Sequence, residues 1–435
     1  MNKKELSGWG NNYRQHCNFF KPKNINELKN IKSKKIIARG LGRSYGDSSF
    51  QKECTVDMTN LNKIIFYDKL KGEIHCQSGC SLKQILDLII PDGWFIPVSP
   101  GTKYVTIGGM VASNVHGKNH HKVGSFKNFV TRLKILLDEK QEIFCDFNNN
   151  KDLFDATFGG MGLTGIITEV SFKLKKINSN LIKQRIFLSS NLNDLIKLNI
   201  DLENYEYVVS WINCSKNSLK EKSITFAGNH YDNSIDKLEY KAKKNFLIPK
   251  VIRFSLINKT TIKVFNLIYY FINYIKSKES LVLIDTFFYP LDRLFQWNNL
   301  YGDNGFFQIQ IVVPIEHSSQ CIKKTLNLVK SNGSGSFLTV IKLFKNESNY
   351  LSFPQKGFTL TIDLPNKDNN INLHKKIEEI MLNYDGKMYL TKDSYMKGST
   401  FNQSYDLKLF NNVRKKYLKN LKYFSSNQSE RLLNQ

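Results

Sequence analysis

Ala38-Arg39-Gly40-Leu41-Gly42-Arg43-Ser44-Tyr45-Gly46-Asp47 is the stretch on which the reading of this chain turns. A second glycine-rich region completes it: Ser99-Pro100-Gly101-Thr102, Val105-Thr106-Ile107-Gly108-Gly109 and Asn114-Val115-His116-Gly117-Lys118-Asn119-His120-His121. Glycines this dense let backbone approach backbone or a ligand where a Cβ would clash. Runs of free N–H groups in such loops form concave anion sites suited to a pyrophosphate. Two such loops in the first third of an enzyme-sized chain predict one large phosphate-bearing cofactor held from two sides. Ordinary turns would explain Gly40 and Gly42 alone, but not the Arg43, Tyr45, His116 and Lys118 interleaved with the glycines.

A nicotinamide dinucleotide on a Rossmann unit is the first candidate, and Gly40-Leu41-Gly42 supplies half of its fingerprint. The third glycine position is Tyr45, and the fingerprint must open an amphipathic helix. Here Ser44-Tyr45-Gly46-Asp47-Ser48-Ser49 has a loop composition, and Cys54-Thr55-Val56-Asp57-Met58 reads as a short strand. The order strand–loop–strand argues against that fold.

Further motifs follow in order: Gly124-Ser125-Phe126, the Phe158–Gly165 run, Phe288-Tyr289-Pro290-Leu291-Asp292, Ile341–Phe344, Leu351–Pro354 and Thr391-Lys392-Asp393-Ser394. With the two glycine loops they make the chain resemble the FAD-linked oxidases of the vanillyl-alcohol-oxidase type. Within these it is similar to the decaprenylphosphoryl-ribose 2-oxidase group of cell-envelope enzymes. The His116–His121 run and Lys392-Asp393-Ser394 carry the likeness to that group; the glycine loops indicate only the wider family. The resemblance implies an α+β, two-domain, PCMH-type FAD-binding fold with a strand-rich substrate domain backed by helices. It places the first part of the FAD-binding domain at 1–178, the substrate-binding domain at 179–386 and a C-terminal return to the FAD-binding domain at 387–435.

At 435 residues, 41% hydrophobic and 12% aromatic, the chain is long enough for two cores. A net charge of +25 points to an anionic partner such as an acidic membrane or a phosphorylated substrate. A bias toward Lys, Asn and Ile accounts for part of it. No basic arm or nucleic-acid motif is present, so no nucleic-acid partner is expected. Cys17, Cys54, Cys76, Cys80, Cys145, Cys214 and Cys321 form no CxxC pair, which favours free thiols. Met1–Gly10 lacks the apolar run of a signal peptide, so a cytoplasmic location is expected.

Strands are expected at 36–38, 55–58, 130–137, 141–145, 165–174, 205–213, 281–289, 306–314, 337–344 and 358–364. Helices are expected at 81–90, 321–331 and 371–383. Leu82, Ile85, Leu86 and Ile89 share one face of the first helix, with Ser81 as its N-cap. Residues 249–278 mix aromatic and aliphatic residues with Lys250, Arg253, Lys259, Lys263, Lys276 and Lys278. Their apolar run falls short of the ~20 residues that span a bilayer. It reads either as an interfacial helix on an anionic membrane or as a core helix with a loop.

The resemblance also assigns roles. Ala38, Arg39, Gly40, Leu41, Gly42, Arg43, Ser44, Tyr45, Gly46, Asp47 and Ser48 wrap the FAD pyrophosphate. Gly101, Thr102, Thr106, Ile107, Gly108, Gly109, Ser113, Asn114, Val115 and His116 line its other side. Ile166 touches the adenine end and Tyr389 the flavin. Relatives that anchor FAD covalently use a histidine where this chain has Arg43, which implies non-covalent FAD. Lys392 is the active-site lysine, with Tyr45 a second candidate for moving a proton. The substrate side carries Lys118, Trp211, Tyr301, Gln308, Gln310, Leu338, Val340, Lys342, Phe344, Thr361 and Lys392. Thr361 stands where mycobacterial members have a cysteine. His116, His120 and His121 lack an accompanying carboxylate or thiolate, so no metal is expected.

The implied activity is oxidation of a secondary sugar hydroxyl to a ketone, at C2 of a polyprenylphosphoryl pentose, with a separate short-chain reductase completing an epimerisation. Two alternatives are an aldonolactone or sugar-alcohol oxidase, and a basic peripheral membrane protein with a degenerate flavin site. Intact loops and Lys392 argue against the latter.

Overall fold

The computed structural model describes residues 2–215, 221–232, 238, 240, 245–251, 253–276, 278–347 and 350–433. Three sheets organise them, and the fold is α+β. The first sheet runs in the order Asn2–Ser7, Arg14–Phe20, Thr55–Asp57 and Ile37–Arg39. Its outer hairpin is antiparallel and its other pairs are parallel. The Ile37–Arg39 strand delivers the chain into the first glycine loop. The second sheet is antiparallel, in the order Ile64–Asp68, Glu73–Gln77, Ile166–Lys173, Val130–Leu136 and Glu142–Asp146. The helix Leu82–Ile89 packs here; Ser81 Oγ accepts from Gln84 N at 3.1 Å, and Leu82, Ile85, Leu86 and Ile89 are buried.

The third sheet has eight strands, all antiparallel to their neighbours: Ser280–Leu283, Leu181–Ser189, Ser223–His230, Tyr207–Ile212, Thr339–Phe344, Gly357–Pro365, Phe306–Pro314 and Lys387–Met388. Its faces divide by the period of two. Phe307, Ile309, Ile311 and Val313 form a core with Cys321, Ile322 and Leu326 of the helix Ile315–Ser331, and with Leu373, Ile377 and Met381 of Asp368–Leu382. Gln308 and Gln310, on the other face, look into a cavity. The helices Ile315–Ser331 and Asp368–Leu382 cover one face, and the cavity lies on the other.

The structure departs from the sequence expectations in two places. The 281–289 strand is cut to Ser280–Leu283, because the last rung of its partner is Leu181; the chain then coils into the helix Ile284–Phe288. The strands Leu181–Ser189 and Ser223–His230 were not expected from sequence, although Lys183 and Arg185 alternate with the buried Ile182 and Ile186 as a half-covered strand requires.

After Met388 the chain returns to the first sheet. Ile36 N donates to Tyr423 O at 2.8 Å, and Tyr45 N to Thr391 O at 2.9 Å. Arg431 Nη2 donates to Asp47 Oδ1 at 2.9 Å and to Asp393 Oδ2 at 2.8 Å. Asp393 also accepts from the amides of Tyr395 and Met396 and from Gln428. These donors hold its carboxyl below the usual range, with Arg431 the largest of the charges offsetting burial. Burial pushes Asp47 the other way, up, because it leans on Arg431 with little else to compensate. Arg431→Ala should therefore strand two buried carboxylates. Loss of one partner of a buried pair costs about 3–5 kcal/mol, which a denaturant midpoint measures; a loss near zero would show that the clamp is dispensable.

Candidate active site

A cavity of about 490 Å³ lies between the glycine loops and the open face of the large sheet. Of the cofactor residues expected from sequence, its wall includes Ala38 to Tyr45, Ser48, Gly101, Thr102, Thr106, Gly108, Gly109, Ser113, Val115, His116 and Tyr389. Of the substrate residues it includes Lys118, Trp211, Gln308, Gln310, Leu338, Val340, Lys342, Thr361 and Lys392.

Seven assigned residues lie outside the wall. A Cβ on Gly46 would sit 2.0 Å from Asp393 O, so this glycine serves the contact between segments. Asp47 belongs to the Arg431 clamp. Ile107 is buried, its amide donating to Cys80 O. Asn114 is buried and donates to Ser352 Oγ at 2.7 Å. Ile166 is buried, while its neighbours Gly165 and Ile167 reach the wall. Tyr301 stacks on Phe306 at 4.2 Å, in the cluster behind Tyr45. Phe344 packs on His116 at 4.7 Å and supports that ring from behind.

The loops fit a dinucleotide. A Cβ at Gly40 would meet Thr106 Oγ1 at 2.2 Å, so the two loops close on each other only over glycine. A Cβ at Gly101 would meet nothing, which leaves its backbone open to the cavity. Among the described residues, the amides of Leu41, Gly42, Arg43 and Ser44 find no acceptor. The buried hydroxyls of Ser48 and Ser78, both on the wall, also lack a partner. These are donors suited to a pyrophosphate and ribose. Arg43 stacks on Trp9 with its guanidinium carbon 3.9 Å from the ring centroid, and its Nε donates to Tyr104 O at 3.1 Å.

Three amines share this cavity. Burial lowers Lys392, Lys342 and Lys118 to about 7 each, because a dry wall disfavours the ammonium form. Lys118 and Lys392 push Lys342 further down, whereas Asp363 opposes the fall at Lys392. Lys392 Nζ lies 3.8 Å from the Tyr45 ring centroid. Gln308 Nε2 donates to Tyr45 Oη at 3.3 Å and to Asp363 Oδ1. Burial raises the Asp363 carboxyl to about 7. Asp363 was missed in the sequence although it is two residues from Thr361 on one strand, and so on the same face.

His116 is neutral: burial, then Lys342, hold its pKa well below the usual value. Gln310 Nε2 lies 3.0 Å from its Nε2, and Lys342 Nζ lies 3.1 Å from its Nδ1. His120 pairs with Glu347 at 2.9 Å, and His121 with Tyr205 O at 2.9 Å. The three histidines thus serve three different contacts.

Flavin should be released free into solution when the holoprotein is precipitated with acid, because an arginine occupies the anchoring position. Yellow precipitate with a colourless supernatant would overturn this.

Comparison with known proteins agrees with the cavity. The model of the FAD binding domain family matches residues 21–146. The chain is 32% identical over 390 residues to decaprenylphosphoryl-beta-D-ribose oxidase of Mycolicibacterium smegmatis, covering 85% of this chain and 83% of that one. A shorter match, 29% identical over 161 residues, reaches a putative D-arabinono-1,4-lactone oxidase of Neurospora crassa and covers 36% and 29% of the two chains. Another, 30% identical over 124 residues, reaches a D-lactate dehydrogenase of Anaerostipes hadrus and covers 27% and 26%. Only the first of these three extends across most of the chain, and on its coverage the protein belongs to the FAD-linked oxidases that include decaprenylphosphoryl-beta-D-ribose oxidase and is an FAD-dependent oxidoreductase.

Proposed function

We propose that the protein oxidises C2 of a polyprenylphosphoryl pentose to the ketone, the first half of an epimerisation that a separate short-chain reductase completes for cell-envelope polysaccharide synthesis. The observation that carries this reading is the order of side chains across the sheet. Lys392, Gln308 and Gln310 stand at one end of the cavity wall, Lys342 in the middle, and Trp211, Val209 and Phe226 at the other. A sugar, a phosphate and a lipid tail need polar, cationic and apolar surroundings in that order.

FAD, held by the two glycine loops, would supply the acceptor for the hydride that leaves C2. Lys392 in its neutral form takes the hydroxyl proton as the carbonyl forms, and the charge of Asp363 favours the resulting ammonium. Gln308 holds Tyr45 and Asp363 in register. Lys118, whose Nζ donates to Phe288 O at 3.2 Å, and Lys342 supply charge for the phosphodiester. The lactone-oxidase reading has the Neurospora relative in its favour, but leaves the apolar end of the wall without a use. Incubating holoprotein with polyprenylphosphoryl pentoses, free aldonolactones and sugar alcohols separates the two by product: a 2-keto lipid-linked sugar supports this proposal, and turnover of lactones alone sinks it.

Lys392→Ala should keep its flavin yet be reduced by substrate about 10²–10⁴-fold more slowly, the usual loss on removing a general base. Flavin reduction at the parent rate would remove Lys392 from the mechanism. The base form of Lys392 exists above its pKa, so kcat/KM should rise with pH through about 7. Asp363 raises the Lys392 pKa, so Asp363→Asn should move this limb to lower pH; an unmoved or upward-shifted limb would contradict the pairing.

A further inference from the structure

The helix Lys259–Ile275 is built inside out for a protein surrounded by water. Asn258 caps it, accepting from the amides of Thr260 and Thr261. Its buried positions are Ile262, Asn266 and Asn273. Asn266 is 0% exposed and donates to Asn213 Oδ1 at 3.0 Å, while Asn273 donates to Tyr269 O at 2.8 Å. The outward face carries Leu267 at 69% exposure, Phe271 at 61% and Ile275 at 64%, with Val264, Ile268 and Ile272 between them. A helix in water turns its apolar stripe inward and its polar residues outward; here the asparagines face the protein and the leucines and phenylalanines face away. Exposed apolar surface this continuous marks an interaction site.

We infer that this face lies in the outer few ångströms of an anionic lipid leaflet and that the cavity opens directly beneath it. Charge selects the occupant. No Asp or Glu occurs from 249 to 278, while Lys259, Lys263, Lys276 and Lys278 flank the apolar face. Such lysines reach anionic headgroups while their stems stay with the acyl chains. A second copy meeting this face would bring like charges together. The helix lies flat: 17 residues extend about 25 Å, and no helix among the described residues is long and apolar enough to cross a membrane.

The same helix roofs the cavity. Tyr269 lines its wall and meets Trp211 edge-on at 5.2 Å, and Phe265 packs on Phe337. Leu294 and Phe295, also in the wall, pair with Phe246–Leu247, which is exposed. A lipid-linked substrate entering from the leaflet would pass Tyr269, Leu294 and Phe295 on its way into the cavity. The passage of substrate rests on the proposed function; the docking of the helix does not.

The test uses FAD-loaded protein and sedimentation with vesicles of phosphatidylcholine, with and without phosphatidylglycerol. Wild type should sediment with the anionic vesicles, and less so as salt rises. Leu267→Glu combined with Phe271→Glu should cut the partition by about tenfold or more, with flavin absorbance and melting temperature unchanged. Leu70→Glu, at an exposed apolar residue elsewhere, should leave it intact. Replacing the four flanking lysines by glutamine should abolish the preference for anionic vesicles. Parent-like partition of the double variant overturns the inference. So does a wild-type dimer that the double variant converts to monomer, by light scattering, with vesicle binding unaltered. If the protein binds vesicles in this way but oxidises no lipid-linked sugar, the docking stands and the proposed function fails.

Discussion

A single guanidinium, that of Arg431, ties the segment carrying Lys392 to the first glycine loop. Asp393 follows Lys392 in sequence, Asp47 ends the first glycine loop, and Arg431 holds both carboxylates within 3 Å. Gly46 allows the loops to touch, and Tyr45 N–H donating to Thr391 O closes the seam. Lys392 and Tyr45 are therefore positioned by contacts outside the cavity. Lys392 is free of any ion-pair duty of its own in that clamp and can be left dry beside the Tyr45 ring.

The large sheet performs the other half of the positioning. Its strands alternate between a helix-covered core face and a cavity face, so one short sequence serves both. In Phe306–Pro314, Phe307, Ile309 and Ile311 anchor the helices while Gln308 and Gln310 orient Tyr45 and His116. A one-residue slip in register would exchange these sets. The nine rungs from Phe306↔Pro365 to Pro314↔Gly357 fix the register over the full strand.

How legible this was in the sequence follows from the range of each interaction. Glycine loops announce themselves locally, because crowding and φ are properties of a few adjacent residues. Gln308, Gln310 and Lys342 came from positional match to the family, and period-two alternation puts Gln308 and Gln310 on one face of their strand. Arg431 did not, since its partners lie 384 and 38 residues away and nothing in Ser429-Glu430-Arg431 signals them. Asp47 and Gly46 were read as cofactor ligands for the same reason: their sequence neighbours bind, and only the fold shows them turned toward the C-terminal segment. In 259–275 the apolar content was plain, but its direction was not. A helix of Phe, Leu, Ile and two Asn reads as core or as interface until Asn213 and Ser336 are seen to take Asn266 inward.

Three buried amines in one cavity raise the question of how the protein keeps some charged and one neutral. Three ammonium groups in a desolvated space repel one another and have lost their water, and all three are lowered to about 7. What opposes the fall differs. Lys118 is lowered by burial alone, with no fixed carboxylate offsetting it; its charge responds to whatever enters the cavity. A phosphate entering there, as the proposed function requires, would stabilise the ammonium forms nearest to it and draw protons onto them. Lys392 instead answers to Asp363, a fixed group that is itself raised by burial. The Asp363 charge raises the Lys392 pKa against the fall that burial imposes. Under the proposed function, this division would let a single wall bind an anion with amines while keeping another amine available to accept a proton from the sugar.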